Sequence, residues 1–177
     1  MMSPSHPLVQ LARRTVEEYV RQGRIPDPPS QLPPDMRQPA AAFVTLYHRG
    51  QLRGCIGTLH PTRETVAEEV IQNAISAASR DPRFEPVQAE ELEDLEVKVD
   101  VLGEPERVAS EEDLDPKRYG LIVQSKRDPL RRGVLLPDLP GIDTVEKQVY
   151  WTRVHKAHIS DPDEPVEMHR FEVVRYQ

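Results

Sequence analysis

One self-comparison constrains this chain more than any single motif. Shifting the numbering by 79 lays Arg53-Gly54 on Arg132-Gly133, Pro61 on Pro140, Thr65-Val66 on Thr144-Val145, Val70 on Val149 and Ala78 on Ala157. These are seven identities without a gap between residues 53–78 and residues 132–157. The predicted elements repeat in the same order: strand, strand, helix, strand, over residues 40–102 and again over residues 119–176. Neither copy has enough apolar surface to stand alone, so the halves are expected to share one core within a single domain spanning 1–177. The fold class predicted is α+β, built from two β-β-α-β units by internal duplication, with an extra N-terminal helix.

That helix is predicted over residues 5–22. Ser5 is its cap, Pro7 is tolerated in its first turn and Gly23 ends it. Leu8, Leu11, Ala12, Val16, Tyr19 and Val20 recur at helical spacing and form its buried stripe. Residues 24–39 hold six of the chain's 18 prolines and read as an extended strap. The first hairpin follows, residues 42–48 and 52–59, turning at Arg49-Gly50. A helix opened by Pro61 and Thr62 runs to about Arg80 and is stopped by Asp81-Pro82-Arg83-Phe84. Residues 95–102 alternate apolar Leu95, Val97, Val99 and Val101 with Glu96, Lys98 and Asp100, which marks a half-buried strand. In the second copy, residues 119–125 and 132–137 make a hairpin with Lys126, Arg127 and Arg131 near its tip. Residues 144–157 make a helix capped by Thr144, and residues 167–176 make the closing strand.

The stretch Leu52-Arg53-Gly54-Cys55-Ile56-Gly57-Thr58-Leu59 holds the only cysteine. Strand alternation puts Arg53, Cys55 and Gly57 on one face, with Arg53 and Cys55 about 7 Å apart. A guanidinium at that range favours thiolate over thiol, lowering a pKa that is ordinarily about 8.5. Glycines within a strand mark a bulge or a close approach to the backbone, and Gly54 and Gly57 bracket the sulfur. The same residues also fit a small buried side chain with glycines that admit a packed neighbour. In the second copy Val134 replaces Cys55 and Leu136 replaces Gly57, so the strand itself needs neither. Asp81 and Arg83 follow directly after a helix, held by prolines, and fit either a local ion pair or an acid and a cation for a polar ligand.

These motifs resemble the AMMECR-type domain family, named for the AMME-syndrome chromosomal-region protein, whose prokaryotic members are called protein A of the AmmeMemoRadiSam system. The resemblance rests on the cysteine heptapeptide, Phe43-Val44-Thr45-Leu46, Asp81-Pro82-Arg83-Phe84, Gly120-Leu121-Ile122-Val123, Arg132-Gly133-Val134-Leu135-Leu136-Pro137 and Lys156-Ala157. It implies a compact α+β fold in two unequal lobes, with a pocket near the cysteine motif. It also implies genomic company with a Memo-like protein and a radical-SAM enzyme. Family members have Lys-Ala-Gly where this chain has Lys156-Ala157-His158. A histidine costs more than glycine in a helix C-terminal cap. The substitution also leaves His155 and His158 three apart on one helix face, a possible metal pair without a located third ligand.

Two readings of the site stay open. In one, Cys55 is a nucleophile or covalent carrier, Arg53 steadies its thiolate, and Gly54, Gly57, Asp81, Arg83 and Lys156 bind an unknown small molecule or peptide. In the other, the strand is a docking surface in a complex and Cys55 is structural. The thiol in the first reading lacks an evident base. A single cysteine excludes both an intrachain disulfide and the three-cysteine cluster motif of a radical generator. No cofactor and no metal are expected. A net charge of −7 and an aromatic content of 5% argue against nucleic acid as a partner. No apolar run suits a Sec-type signal or a membrane span, so a cytoplasmic setting is expected.

Overall fold

A computed structural model describes residues 5–177, so the expectation about a signal segment falls partly outside the described residues. The chain forms two compact units, one ending at Leu102 and completed by Val174–Gln177, the other Gly103–Val173. The first begins with helix α1, Pro7–Gln22. His6, not Ser5, caps it: His6 Nδ1 accepts from Leu8 N at 3.1 Å, and its ring stacks on Tyr176 at 3.7 Å. Gly23 ends the helix in the left-handed conformation at φ 65°, as predicted. The proline strap follows, tethered by Met36, which is buried in the core.

Strands β1 (Ala41–His48), β2 (Gln51–Gly57) and β3 (Leu95–Leu102) form an antiparallel sheet with β1 in the centre. Arg49 and Gly50 both take positive φ, which closes the β1–β2 turn with the twist that a two-residue hairpin requires. Helix α2, Val66–Ser79, starts later than its prolines suggest. Thr65 is the cap, its hydroxyl accepting from Glu68 N at 3.2 Å. Thr62 and Arg63 are held instead by the buried Glu69 carboxylate. Asn73 Nδ2 donates to Ala42 O at 2.8 Å and ties α2 to β1. Leu8, Ala12, Val44, Leu46, Val70 and Val99 are central to the apolar cluster between α1, α2 and one face of the sheet.

The second unit holds β4 (Glu106–Val108), β5 (Gly120–Ser125), β6 (Arg132–Leu135) and β7 (Val166–Phe171), in the order β4-β7-β5-β6. Its helix α3, Val145–Tyr150, is capped by Thr144 as predicted and continues as a π-helical turn over Trp151–Lys156. Leu121, Val123, Ala157 and Ile159 are buried among the residues of its cluster. Among the described residues the buried apolar side chains of the first unit form the cluster between α1, α2 and the sheet and a smaller one of Leu11, Ala67, Ile71 and Ile75, and those of the second unit pack between its own sheet and helix.

The duplication is visible in the pairing. The first strand of each copy lies between the second and the third, β2-β1-β3 in one sheet and β6-β5-β7 in the other. The closing strand expected over residues 167–176 is two strands. It breaks at Glu172, whose carbonyl accepts from Gly103 N at 2.9 Å. Beyond the break, β8 (Val173–Tyr176) lies beside β3 in the first sheet. Among the described residues no helix is long and apolar enough to cross a membrane.

Candidate functional site

Cys55 lies on the face of the first sheet opposite its helices. Strand pairing sets Cys55, Thr45 and Lys98 in a row across β2, β1 and β3. Neighbours in such a row are about 5 Å apart. Gly57, Phe43 and Asp100 make the next row, and Tyr47 and Glu96 oppose each other on the far side. The Cys55 thiol and the Thr45 hydroxyl share a hydrogen bond of 3.2 Å. Asp100 is buried and accepts from Arg175 Nε of β8 at 2.6 Å. The Lys98 ammonium sits 4.8 Å from the centre of the Tyr47 ring.

The free edge of β2 explains the turn after α2. The Cys55 N–H points away from β1 and donates to Asp81 Oδ2 at 3.0 Å. The buried Asp81 carboxylate also accepts from Arg83 Nε at 3.1 Å, Arg83 Nη2 at 2.8 Å and Arg83 N at 3.1 Å. Burial opposes ionisation of Asp81, yet the hydrogen bonds from Arg83 and Cys55 outweigh it and hold the carboxyl down at about 2. Proline at position 82 and the Phe84 N–H to Asp81 O bond fix the turn that aims these two residues at the strand.

Arg53 goes elsewhere. The β1–β2 register slips between Leu46 and Tyr47, leaving Arg53 as the extra residue of a bulge. Its guanidinium donates to Glu91 at 2.7 and 3.0 Å and to the Glu85 and Pro86 carbonyls. The expectation that Arg53 steadies the sulfur is corrected on this point, since the bulge breaks the alternation on which it rested. Arg83 is the cation whose charge acts on the thiol. Burial still pushes the Cys55 thiol up from its ordinary value, against the pull of the Thr45 bond and of Arg83. A lowered thiol pKa, expected from the sequence, is therefore replaced by a raised one.

The glycines serve packing. A Cβ on Gly54 would run into the Ala77 carbonyl of α2, and one on Gly57 would run into the Phe43 ring. Gly133 meets the π-helical turn of the second unit in the same manner. Superposing Gly54 on Gly133 through their partners Leu46 and Val123 aligns the two sheets strand by strand. Thr45 then corresponds to Ile122, Cys55 to Val134, Lys98 to His169, and Asp100 to Phe171. The face that is polar in the first copy is mostly apolar in the second.

The model of the AMMECR1 family matches residues 9–177. The chain belongs to the AMMECR1 family. It is 47% identical to a protein of Thermotoga maritima over 178 residues, covering 99% of this chain and all of that one. It is 43% identical to protein CA_C1420 of Clostridium acetobutylicum over 173 residues, but spans only 36% of that longer protein. The crystal structure of uncharacterized protein PH0010 from Pyrococcus horikoshii is similar in fold, with a TM-score of 0.83 and 34% identity, covering 95% of this chain and 88% of that one.

In this AMMECR1 chain the site draws together Cys55, Gly57, Asp81 and Arg83 of the expected residues, while Gly54 faces the helix. Lys156 belongs to the second unit, exposed, with its Cβ against Gly133. His155 and His158 do not share a helix face. The π-helical turn ends at Lys156 and His158 is left-handed at φ 59°, while His155 stacks on Trp151 at 4.2 Å. Sequence reasoning missed Thr45, Tyr47, Lys98, Asp100 and Arg175. The signal available was the polar alternation of β3, which reads equally well as a wet face.

Proposed function

We propose that the helix-free face of the first sheet is a thiol site, in which Cys55 serves as nucleophile or covalent carrier for a polar ligand. The observation that carries this reading is the contrast between the two copies. One scaffold supports Thr45, Cys55, Lys98 and Asp100 in the first sheet, and Ile122, Val134, His169 and Phe171 at the same positions in the second. In the resting protein the sulfur is a thiol. Its activation needs a proton acceptor, and Asp100 is the acid on the same face whose charge the thiol feels. Burial pushes the Asp100 carboxyl up, against Arg175, which suits it to take up a proton. The sulfur then adds to an electrophilic carbonyl carbon of the ligand: the S–C bond forms as the C=O π pair moves to the oxygen, which takes up the proton lost by the thiol, with Arg83 favouring the thiolate.

The family resemblance supports a cytoplasmic setting in which the chain works with a Memo-like protein and a radical-SAM enzyme. The test is turnover by the radical-SAM partner in the presence of the Memo-like protein and this chain. Cys55→Ser, folded by circular dichroism, is expected to abolish the contribution of this chain. Equal turnover with wild type and Cys55→Ser overturns the thiol role. Failure of the three proteins to co-elute in affinity capture overturns the partnership.

A second reading, a docking surface with Cys55 structural, is favoured by the raised thiol pKa and by glycines that serve packing. It predicts that Cys55→Ser retains both capture and turnover.

A further inference from the structure

We propose that the outer edge of β3 is a docking site for β8 of a second copy of this chain, so that two chains complete each other's first sheet by trading Val173–Tyr176. Such an exchange is independent of the thiol-site reading. The topology itself is reciprocal. After β3 the chain passes through Gly103-Glu104-Pro105 and enters the second sheet as β4, beside β7. After β7 it passes Glu172 and enters the first sheet as β8, beside β3. Each copy of the duplicated unit thus gives its last strand to the sheet of the other.

Strand exchange between two like units is therefore already the plan of this fold, carried out within one chain. Two chains need only repeat it between them. The segment that moves is short, four residues at the edge of its sheet. A single residue, Glu172, joins β7 to β8, and its carbonyl is held by Gly103 N at 2.9 Å. A link of this length leaves little slack, and short hinges invite exchange between chains. The chain's own β8 competes at an effective concentration on the order of millimolar or above, so exchange grows with protein concentration.

Two side-chain contacts anchor β8, and both lie within the first unit. Arg175 Nε donates to Asp100 Oδ1 at 2.6 Å, and the Asp100 side chain is only 2% exposed. Tyr176 stacks on His6 at 3.7 Å. An identical strand from another copy supplies both contacts unchanged. Asp100 also sets the specificity of docking. Phe171 holds its place in the second sheet, so a strand carrying Arg175 is matched by the first sheet alone. Nor can the edge of β3 stay bare. Loss of β8 leaves the ladder of β3 unpaired and the Asp100 carboxylate without its cation, both unfavourable. An opened sheet is refilled, by its own strand or by that of a neighbour.

Charge reversal separates exchange from closure in the full chain. Asp100→Lys sets two cations together in a closed monomer, and Arg175→Glu sets two anions together. When the two variants trade strands, one sheet regains Asp100 with Arg175. The other pairs the introduced lysine with the introduced glutamate. Equal amounts of the two, mixed, are expected to form dimers in analytical ultracentrifugation. They should do so at a concentration about a hundredfold below that at which either variant dimerises alone, since two broken ion pairs are restored together. A mixture no more dimeric than its components overturns the inference.

Wild type supplies a readout that decides the matter even where a variant fails to fold. Tagged and untagged chains are refolded together from urea at about 1 mM, near the effective concentration of the tethered strand, and captured on the tag. Untagged chain is expected in the eluate, in dimers of one tagged and one untagged copy. Inserting Gly-Ser-Gly-Ser after Glu172 gives β8 slack to close on its own sheet. The insertion is expected to lower the captured fraction by about threefold or more. No untagged chain in the eluate, or a fraction that the insertion leaves unchanged, overturns the strand exchange. Neither readout involves Cys55, so the thiol-site reading stands or falls separately.

Discussion

At the scale of the residue, the site turns on which cation the sulfur feels, and the pH dependence of the fold tests the pairing. Asp81 titrates at about 2 in the folded protein against an ordinary 3.8. Because the folded value is depressed, the stabilisation is complete above the unfolded value and is lost as the pH falls from about 4 through about 2. The size is about 2 kcal/mol. Urea unfolding at stepped pH should therefore show wild type losing this stability over that interval and Asp81→Asn losing much less; parallel curves would remove Asp81 from the account. Cys55 runs the other way. Its pKa is raised by burial, so the thiol costs nothing below the unfolded value, and stability declines as the pH climbs above about 8.5 toward the folded value. Alkylation by neutral iodoacetamide at pH 7 should accordingly be slower than for free cysteine. Arg53→Ala should leave that rate unchanged, since Glu91 holds Arg53, whereas Arg83→Gln should slow it further.

At the scale of the element, close contact between β2 and α2 is what the Leu-Arg-Gly-Cys motif first serves. Gly54→Ala should destabilise the protein by about 1–3 kcal/mol or more in urea, because the added methyl must displace the Ala77 carbonyl and with it the helix. A variant as stable as wild type would mean that α2 is free to move. The end of the π-helical turn predicts the opposite sign. His158 is exposed and left-handed, so His158→Gly should stabilise by about 1 kcal/mol. These elements also mark what could be read beforehand. Alternation from Leu95 to Val101 marks β3, which runs to Leu102, and Arg49-Gly50 specifies the hairpin turn. Thr65 and Thr144 superpose in the self-comparison, so one cap position could have corrected the early start assigned to α2. The bulge at Arg53 was not legible, because a bulge is set by pairing with β1 and leaves no mark on β2 alone. The break at Glu172 was hidden for a similar reason. The local pattern is uniformly strand-like, and only the choice of a different neighbour on either side divides β7 from β8. Asp81 and Arg83 could be named in advance, but their bond to the Cys55 backbone required the free edge of β2 to be known.

At the scale of the whole molecule, duplication supplies its own control. Two sheets share the pairing β2-β1-β3 and β6-β5-β7, and each packs a helix against one face. Whatever both copies have in common belongs to folding, as with Gly54 and Gly133 or the threonine caps. What only the first copy has is surplus to folding, and Thr45 with Cys55 falls in that class. The second copy has already performed the corresponding experiment, since Ile122 opposes Val134 where Thr45 opposes Cys55. The double variant Thr45→Ile, Cys55→Val should therefore fold, with a urea stability lowered by no more than about 1–3 kcal/mol, the cost of the one carbon that each swap adds with no polar group left unpaired. Replacing both partners together matters, because either change alone would strand the other group without its hydrogen bond. If the proposed thiol site works with a radical-SAM enzyme, the same variant should lose the contribution of this chain to turnover by that enzyme. Loss of folding would assign the pair to the architecture and remove the basis for a site. Folding with turnover retained would assign it to neither, and the chemistry would have to be sought away from the sulfur.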